Sequence, residues 1–251
     1  MNIEQGILIP STLQPVGAGV TGANYAIVLI AGLSQRCVVK KIGNCEIAAE
    51  CLCALLGNAL ELPTLIPVVV TDPRDRSFWF GARDVGYPSL SGRLHIGTSA
   101  NAQQMQFLAY ILSAWSQVGQ VISFDELVRN GDRNPGNVLW DGSQFTIIDH
   151  ERALGIQVMQ QNKLAMFATD CFHPQLVASI GNASISAALV QQSLLRLNPT
   201  VWKMIAAEFA SVPSVVEQHY GALVHIIQNN LGSLVHNVAN AMSPMFVRQQ
   251  S

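Results

Sequence analysis

The period of the hydrophobic pattern changes several times along the chain, and each change marks an element. Ala26-Ile27-Val28-Leu29-Ile30 and Cys37-Val38-Val39-Lys40 are short β-branched runs on either side of Gly32, which predicts two strands joined by a turn. From Cys45 to Leu60 the apolar residues recur at helical spacing, with Asn44 placed to cap the helix and Pro63 just beyond its end. Pro63–Val70 and Ser77–Gly81 read as further strands around a polar Thr-Asp-Pro-Arg-Asp-Arg turn, giving an N-terminal lobe of short strands and one helix. Ala82–Gly97, with Gly86, Pro88, Gly92 and Gly97, reads as a connector. Ser99 or Asn101 then caps a helix whose stripe of Met105, Leu108, Ile111, Leu112, Trp115 and Val118 faces a core, with Gly119 ending it. Beyond residue 151 the pattern is helical, with starts at Asn198-Pro199 and Ser211-Val212-Pro213. A long apolar face runs through Val216, Tyr220, Leu223, Ile227, Leu231, Leu234 and Val238, and the final ten residues are expected to fray.

Composition narrows the class. With 251 residues, 49% hydrophobic and only 12% charged, the chain has ample material for a compact interior and none of the signature of disorder. A net charge of −2 provides no basic field for a phosphate backbone and argues against a nucleic-acid partner. Five cysteines without Cys-x-x-Cys spacing support neither a disulfide framework nor a zinc knuckle, which fits a reducing cytoplasm. The longest apolar run, Tyr25–Leu33, is too short for a bilayer, and the N-terminus has no cationic segment before an apolar core, so a soluble cytoplasmic protein without membrane insertion is expected.

The densest chemistry lies between Phe124 and Glu151. Asp132 and Asn137 flank a Pro135-Gly136 turn, and Asp149 follows the buried-looking run Phe145-Thr146-Ile147-Ile148. Acid, amide and acid supply the hard oxygens of a magnesium–nucleotide site; the bland alternative is a polar turn capped by its own Asx side chains. Upstream, Gly17, Gly19 and Gly22 form G-x-G-x-x-G, which suits a dinucleotide-binding turn, a glycine-rich hairpin over phosphates, or a plain structural turn. The second strand ends in Lys40-Lys41 rather than in the acidic residue a ribose needs, which favours the hairpin. Strand alternation allows only one of these lysines to share a face with Val38, and Lys40 is that residue. Glu46 and Glu50 lie one turn apart on the following helix, and Glu50 sits among Ala48, Ala49, Leu52 and Ala54, where a carboxylate calls for a cationic partner. For Arg133, partners such as Asp125 or Asp149 and a substrate phosphate remain open; the scattered histidines lack metal-ligand spacing.

In order, these features are a glycine loop, a strand lysine, a helix glutamate, a hinge, an apolar helix, an Asp-Arg-x-x-x-Asn loop and a strand ending in Ile-Ile-Asp. That order resembles the protein-kinase-like superfamily, and Asn130, Asp132, Arg133, Asn137 and Asp149-His150 resemble the HipA-like kinases in particular. Asn134 stands where histidine often follows Asp-Arg in those kinases. The resemblance implies an α+β, two-lobed fold: an N-lobe over residues 1–97 with a small antiparallel sheet and one helix, and a mainly helical C-lobe over 98–251. It also implies an ATP- and Mg2+-dependent kinase acting on serine or threonine of a protein substrate, with the nucleotide in the cleft. Asp132 would be the base, with Lys40, Glu50 and Arg133 beside it in the catalytic set. Gly17, Gly19, Gly22 and Lys40 would hold the nucleotide, and Asn137 and Asp149 the metal. The alternatives within the superfamily are a nucleotide-binding pseudokinase working through a regulatory partner protein, and a lipid or small-molecule phosphotransferase.

Overall fold

The computed structural model describes residues 3–17, 22–96, 100–156, 162–164, 167 and 213–231. Gly19, Ser99, Asn198-Pro199, Ser211 and the C-terminal tail lie outside them. Two compact units are formed: one by Met1–Gly86 with the part of the helix Pro213–Leu231 up to Val224, the other by Tyr87–Gln191 with the part of that helix from His225.

The first unit contains β1 (Glu4–Leu8), β2 (Gln14–Pro15), β3 (Asn24–Ile30), β4 (Leu33–Lys40), α1 (Asn44–Ala59), β5 (Pro67–Thr71) and β6 (Phe78–Arg83). The sheet order is β1-β5-β6-β4-β3-β2, and β1 also pairs with β3, so five strands close on themselves in a barrel-like sheet. Alternation along β3 and β4 sends Ala26, Val28, Ile30, Cys37 and Val39 inward, where they meet Leu8, Val68, Val70 and Trp79. Burial drives the Cys37 thiol up to about 11, as expected for a small apolar core residue.

The expectation of an antiparallel sheet needs one correction, because β1 runs parallel to β5 while pairing antiparallel with β3. β1 carries no strong strand signal. It fits because Gly6 has no side chain where Val28 and Ile30 of β3 pass over it, and because Glu4 holds Arg83 of β6 through two bonds of 2.7 and 3.1 Å. Asn44 is likewise not a cap: it is the first residue of α1, and Gly43 occupies the cap position without a side-chain bond. Strand β5 begins only at Pro67, four residues later than the apolar run suggests.

The second unit contains α2 (Leu90–Arg93), α3 (Ala102–Ser113), α4 (Val118–Leu127), a hairpin of β7 (Val138–Trp140) and β8 (Phe145–Ile147), and the end of α5 (Pro213–Leu231). Residues 87–93 are built onto that hairpin: Trp140 N donates to Pro88 O at 3.1 Å, and Tyr87 shares a 2.9 Å hydroxyl bond with Thr146. Asn101 caps α3 in a reciprocal box with Gln104. The expected single helix ending at Gly119 is in fact two helices, α3 and α4, meeting at 91°. Gly119 lies in the first turn of α4, and the stripe of Leu108, Ile111, Leu112, Trp115 and Val118 stays buried across the bend. The repeat therefore marks the buried face but not the break. Trp115 stacks on Phe145 with centroids 4.6 Å apart, joining this corner to the hairpin. Among the described residues no single helix is long and apolar enough to cross a membrane.

If β1 closes the sheet through the side-chain-free surface of Gly6, then Gly6→Ala forces a methyl against Val28 and lowers stability by about 1–3 kcal/mol. Urea unfolding followed by circular dichroism measures the loss.

Candidate active site

In the first unit Gly17 and Gly22 lie between β2 and β3, where Val16 N donates to Ala23 O at 3.0 Å. Gly17 and Gly22 have φ of +76° and +66°, a conformation that side chains disfavour, and no atom lies within 4 Å of where a Cβ would stand. At the far end of β4, Lys40 shares a face with Val38, opposite the inward Cys37 and Val39. Its ammonium lies 3.7 Å from the Glu50 carboxylate, with side-chain exposures of 12% and 2%. A carboxylate so thoroughly desolvated on an apolar helix needs a cation, and Lys40 supplies it. Lys41 points the other way and pairs with exposed Asp75 at 3.2 Å.

In the second unit everything between α4 and β8 is organised by Arg133. Its side chain is fully buried, and each of its five N–H donors is engaged within the protein. Nε and Nη2 grip Asp125 of α4 at 3.0 Å each. Nη1 donates to Asn137 O at 2.9 Å and to Ile148 O, and Nη2 meets His150 Nε2 at 2.8 Å. Asn130 also donates to Asp125 at 3.2 Å, so the short chain between them closes on the same carboxylate. The donors of Arg133 are thus spent on Asp125, the loop, the strand end and His150, and its side chain has no exposed surface. Neighbouring Glu126 is pushed up to about 7 by burial and, secondarily, by Asp125, against a lowering bond from Asn162. The carboxylate that meets the guanidinium directly is that of Asp125.

Within this frame Asn134, not Asp132, is the Asx cap, its Oδ1 accepting from Gly136 N at 2.8 Å. The one-turn 3-10 helix Pro135–Asn137 places the Asn137 amide so that its Nδ2 donates to Asp132 O at 3.2 Å, which directs Oδ1 to the opposite side. Asn137 O in turn receives Ile148 N at 3.1 Å, locking the loop to the residue before Asp149. Asp149 leaves strand geometry with φ +70°, a left-handed conformation tolerated by aspartate, and it carries a carboxylate oxygen within 4.8 Å of one from buried Glu151. The Asp132 carboxylate faces two cations that the sequence reading did not single out, Arg152 at 3.1 Å and Lys163. Spacing along the chain could not reveal them, since they reach Asp132 only once the turn at residues 151–156 folds back and Leu154 N bonds Val128 O at 2.7 Å.

Lys40 and Glu50 are thus together in the first unit, and Asp132, Arg133, Asn137 and Asp149 are together in the second. Asp149 and Glu151 offer carboxylate oxygens within 4.8 Å of one another, hard donors of the kind a divalent cation such as magnesium takes, and the Asn137 backbone is tied to the same strand end through Ile148.

Removing one partner of the buried pair leaves an uncompensated charge, so Arg133→Met lowers stability by about 3–5 kcal/mol in urea unfolding. The double variant Arg133→Met/Asp125→Leu loses less than the two single losses combined, which a double-mutant cycle measures.

No family model and no curated relative matches the chain. Among solved structures it is similar to the crystal structure of a Helicobacter pylori proinflammatory kinase, CtkA, over 91% of this chain and 96% of that chain, with 14% identity and a TM-score of 0.50. At that identity the likeness is one of fold: the chain has a mixed α+β, kinase-like fold.

Proposed function

We propose that the protein is an ATP- and magnesium-dependent phosphotransferase of the HipA-like kind, carrying the γ-phosphoryl group of ATP to a serine or threonine hydroxyl of a protein. The reading rests above all on Arg133, whose buried guanidinium holds Asp132, Asn137 and Asp149 on one rigid loop and strand end. A merely polar turn needs no such anchor. The kinase-like fold supports the same reading, and CtkA is itself a kinase.

In this mechanism the acceptor hydroxyl approaches Asp132. Its oxygen forms a bond to the γ-phosphorus as the bond from that phosphorus to the β–γ bridging oxygen breaks. The proton passes to the Asp132 carboxylate, and ADP leaves with the bridging oxygen. Lys40, steadied by Glu50, binds the α- and β-phosphates, and the backbone of the loop at Gly17, Gly19 and Gly22 covers them. Asn137 and Asp149, with Glu151 beside Asp149, would hold magnesium, which when bound neutralises charge on the phosphate oxygens.

With γ-labelled ATP and magnesium, the wild type is expected to transfer label to itself or to a protein acceptor. Asp132→Ala and Asp149→Ala each reduce transfer by a factor of about 100 or more. Stabilisation of the wild type by Mg-ATP without transfer to protein, lipid or small-molecule acceptors points instead to a nucleotide-binding module acting through a partner protein.

A further inference from the structure

We infer that Lys163, together with Arg152, is a positioning residue that fixes the orientation of the Asp132 carboxylate for the acceptor hydroxyl; the inference rests on the phosphotransferase reading above. Each Asp132 oxygen carries its own cation, Lys163 on Oδ1 and Arg152 on Oδ2. The terminal torsion of an aspartate is broad, so a carboxylate held at one oxygen still swings about its Cβ–Cγ bond. Held at both, it presents its remaining lone pairs in one plane. A hydroxyl that must be aligned with the phosphorus gains from that constraint, because catalysis here is chiefly a matter of position.

The two cations are not casual surface partners. Lys163 belongs to a short segment docked on the Asp132 loop by its backbone, with Lys163 N donating to Gly131 O at 3.1 Å. One residue earlier, Asn162 is buried, accepts Leu164 N at 3.0 Å and bonds the side chain of Glu126. The segment is therefore held independently of the Lys163 side chain. Arg152 comes from the turn after Asp149, so the two ends of the loop–strand segment converge on one carboxylate. The side chains of Lys163 and Arg152 are 45% and 33% exposed and that of Asp132 is 13%, which leaves the group accessible to an acceptor. Asn134 occupies the position two residues after Asp132, and its side chain turns back to Asp132 O and Gly136 N, so the loop itself supplies no cation to the carboxylate.

The decisive variants are Lys163→Met, Lys163→Arg and Arg152→Met in the full chain. ADP release from Mg-ATP and label transfer to the protein itself are measured with each, alongside Mg-ADP binding and melting temperature. The expected result for Lys163→Met is a fall in kcat of about tenfold or more, with the KM for ATP, the affinity for Mg-ADP and the melting temperature unchanged. Lys163→Arg restores most of the rate, and Arg152→Met repeats the kcat loss. Wild-type kcat in Lys163→Met overturns the inference while leaving the phosphotransferase reading intact. So does a kcat loss matched by an equal loss of melting temperature or Mg-ADP affinity, since that reports a structural prop. Absence of both ADP release and label transfer in the wild type overturns the phosphotransferase reading, and the inference with it.

Discussion

One buried guanidinium carries the second unit. Moving Arg133 and Asp125 out of water costs several kcal/mol per ion, and their attraction repays this only where every remaining donor finds an acceptor. That condition is met here: the three donors not facing or shared with α4's carboxylate reach Asn137 O, Ile148 O and His150, one from each piece of the loop and strand end. Well-packed apolar side chains would stabilise the fold as much. What they could not do is bring α4, the 3-10 turn and the end of β8 to a common point with fixed register.

The consequences spread outward from that point. Because Asn137 O and Ile148 O share Nη1, the Asn137 amide and the Asp149 carboxylate are set relative to each other by backbone atoms, not by side-chain packing. Asp149 can then adopt its left-handed backbone, whose cost is met by the surrounding bonds. His150, edge-on to Phe124 of α4, closes the arrangement from the apolar side. The first unit solves a similar problem on a smaller scale: Glu50 is desolvated on α1, and the strand that closes beside it ends in the one lysine of two that faces it.

Legibility in the sequence followed the range of the interaction. Strand alternation identified Lys40 over Lys41, and helical spacing placed Glu50 one turn from Glu46, because both depend on residues near in sequence. The start of helix α3 was readable for the same reason, with Asn101 one of two candidate caps. Strand β1 was not, since its pairing with both β3 and β5 depends on the missing side chain at Gly6 and on Glu4 meeting Arg83. The corner at residues 114–117 was hidden because the apolar stripe runs through it unbroken. Arg133 had several chemically acceptable partners in the sequence, and only the folded register of α4 selects Asp125. Lys163 and Arg152 lay beyond any spacing rule, brought to Asp132 by a turn whose geometry rests on the left-handed residues Asp149 and Leu154.

The central claim is that the Asn137–Asp149 site works with a nucleotide through a hard divalent cation. Calorimetric titration of ATP into the wild type and into Asp149→Asn, each with magnesium and with the metal chelated, tests it most directly. The account predicts ATP binding that is strengthened by magnesium in the wild type, with the magnesium-dependent part weakened about tenfold or more in Asp149→Asn. ATP affinity that is the same with and without magnesium, or a magnesium effect that Asp149→Asn leaves untouched, would contradict it.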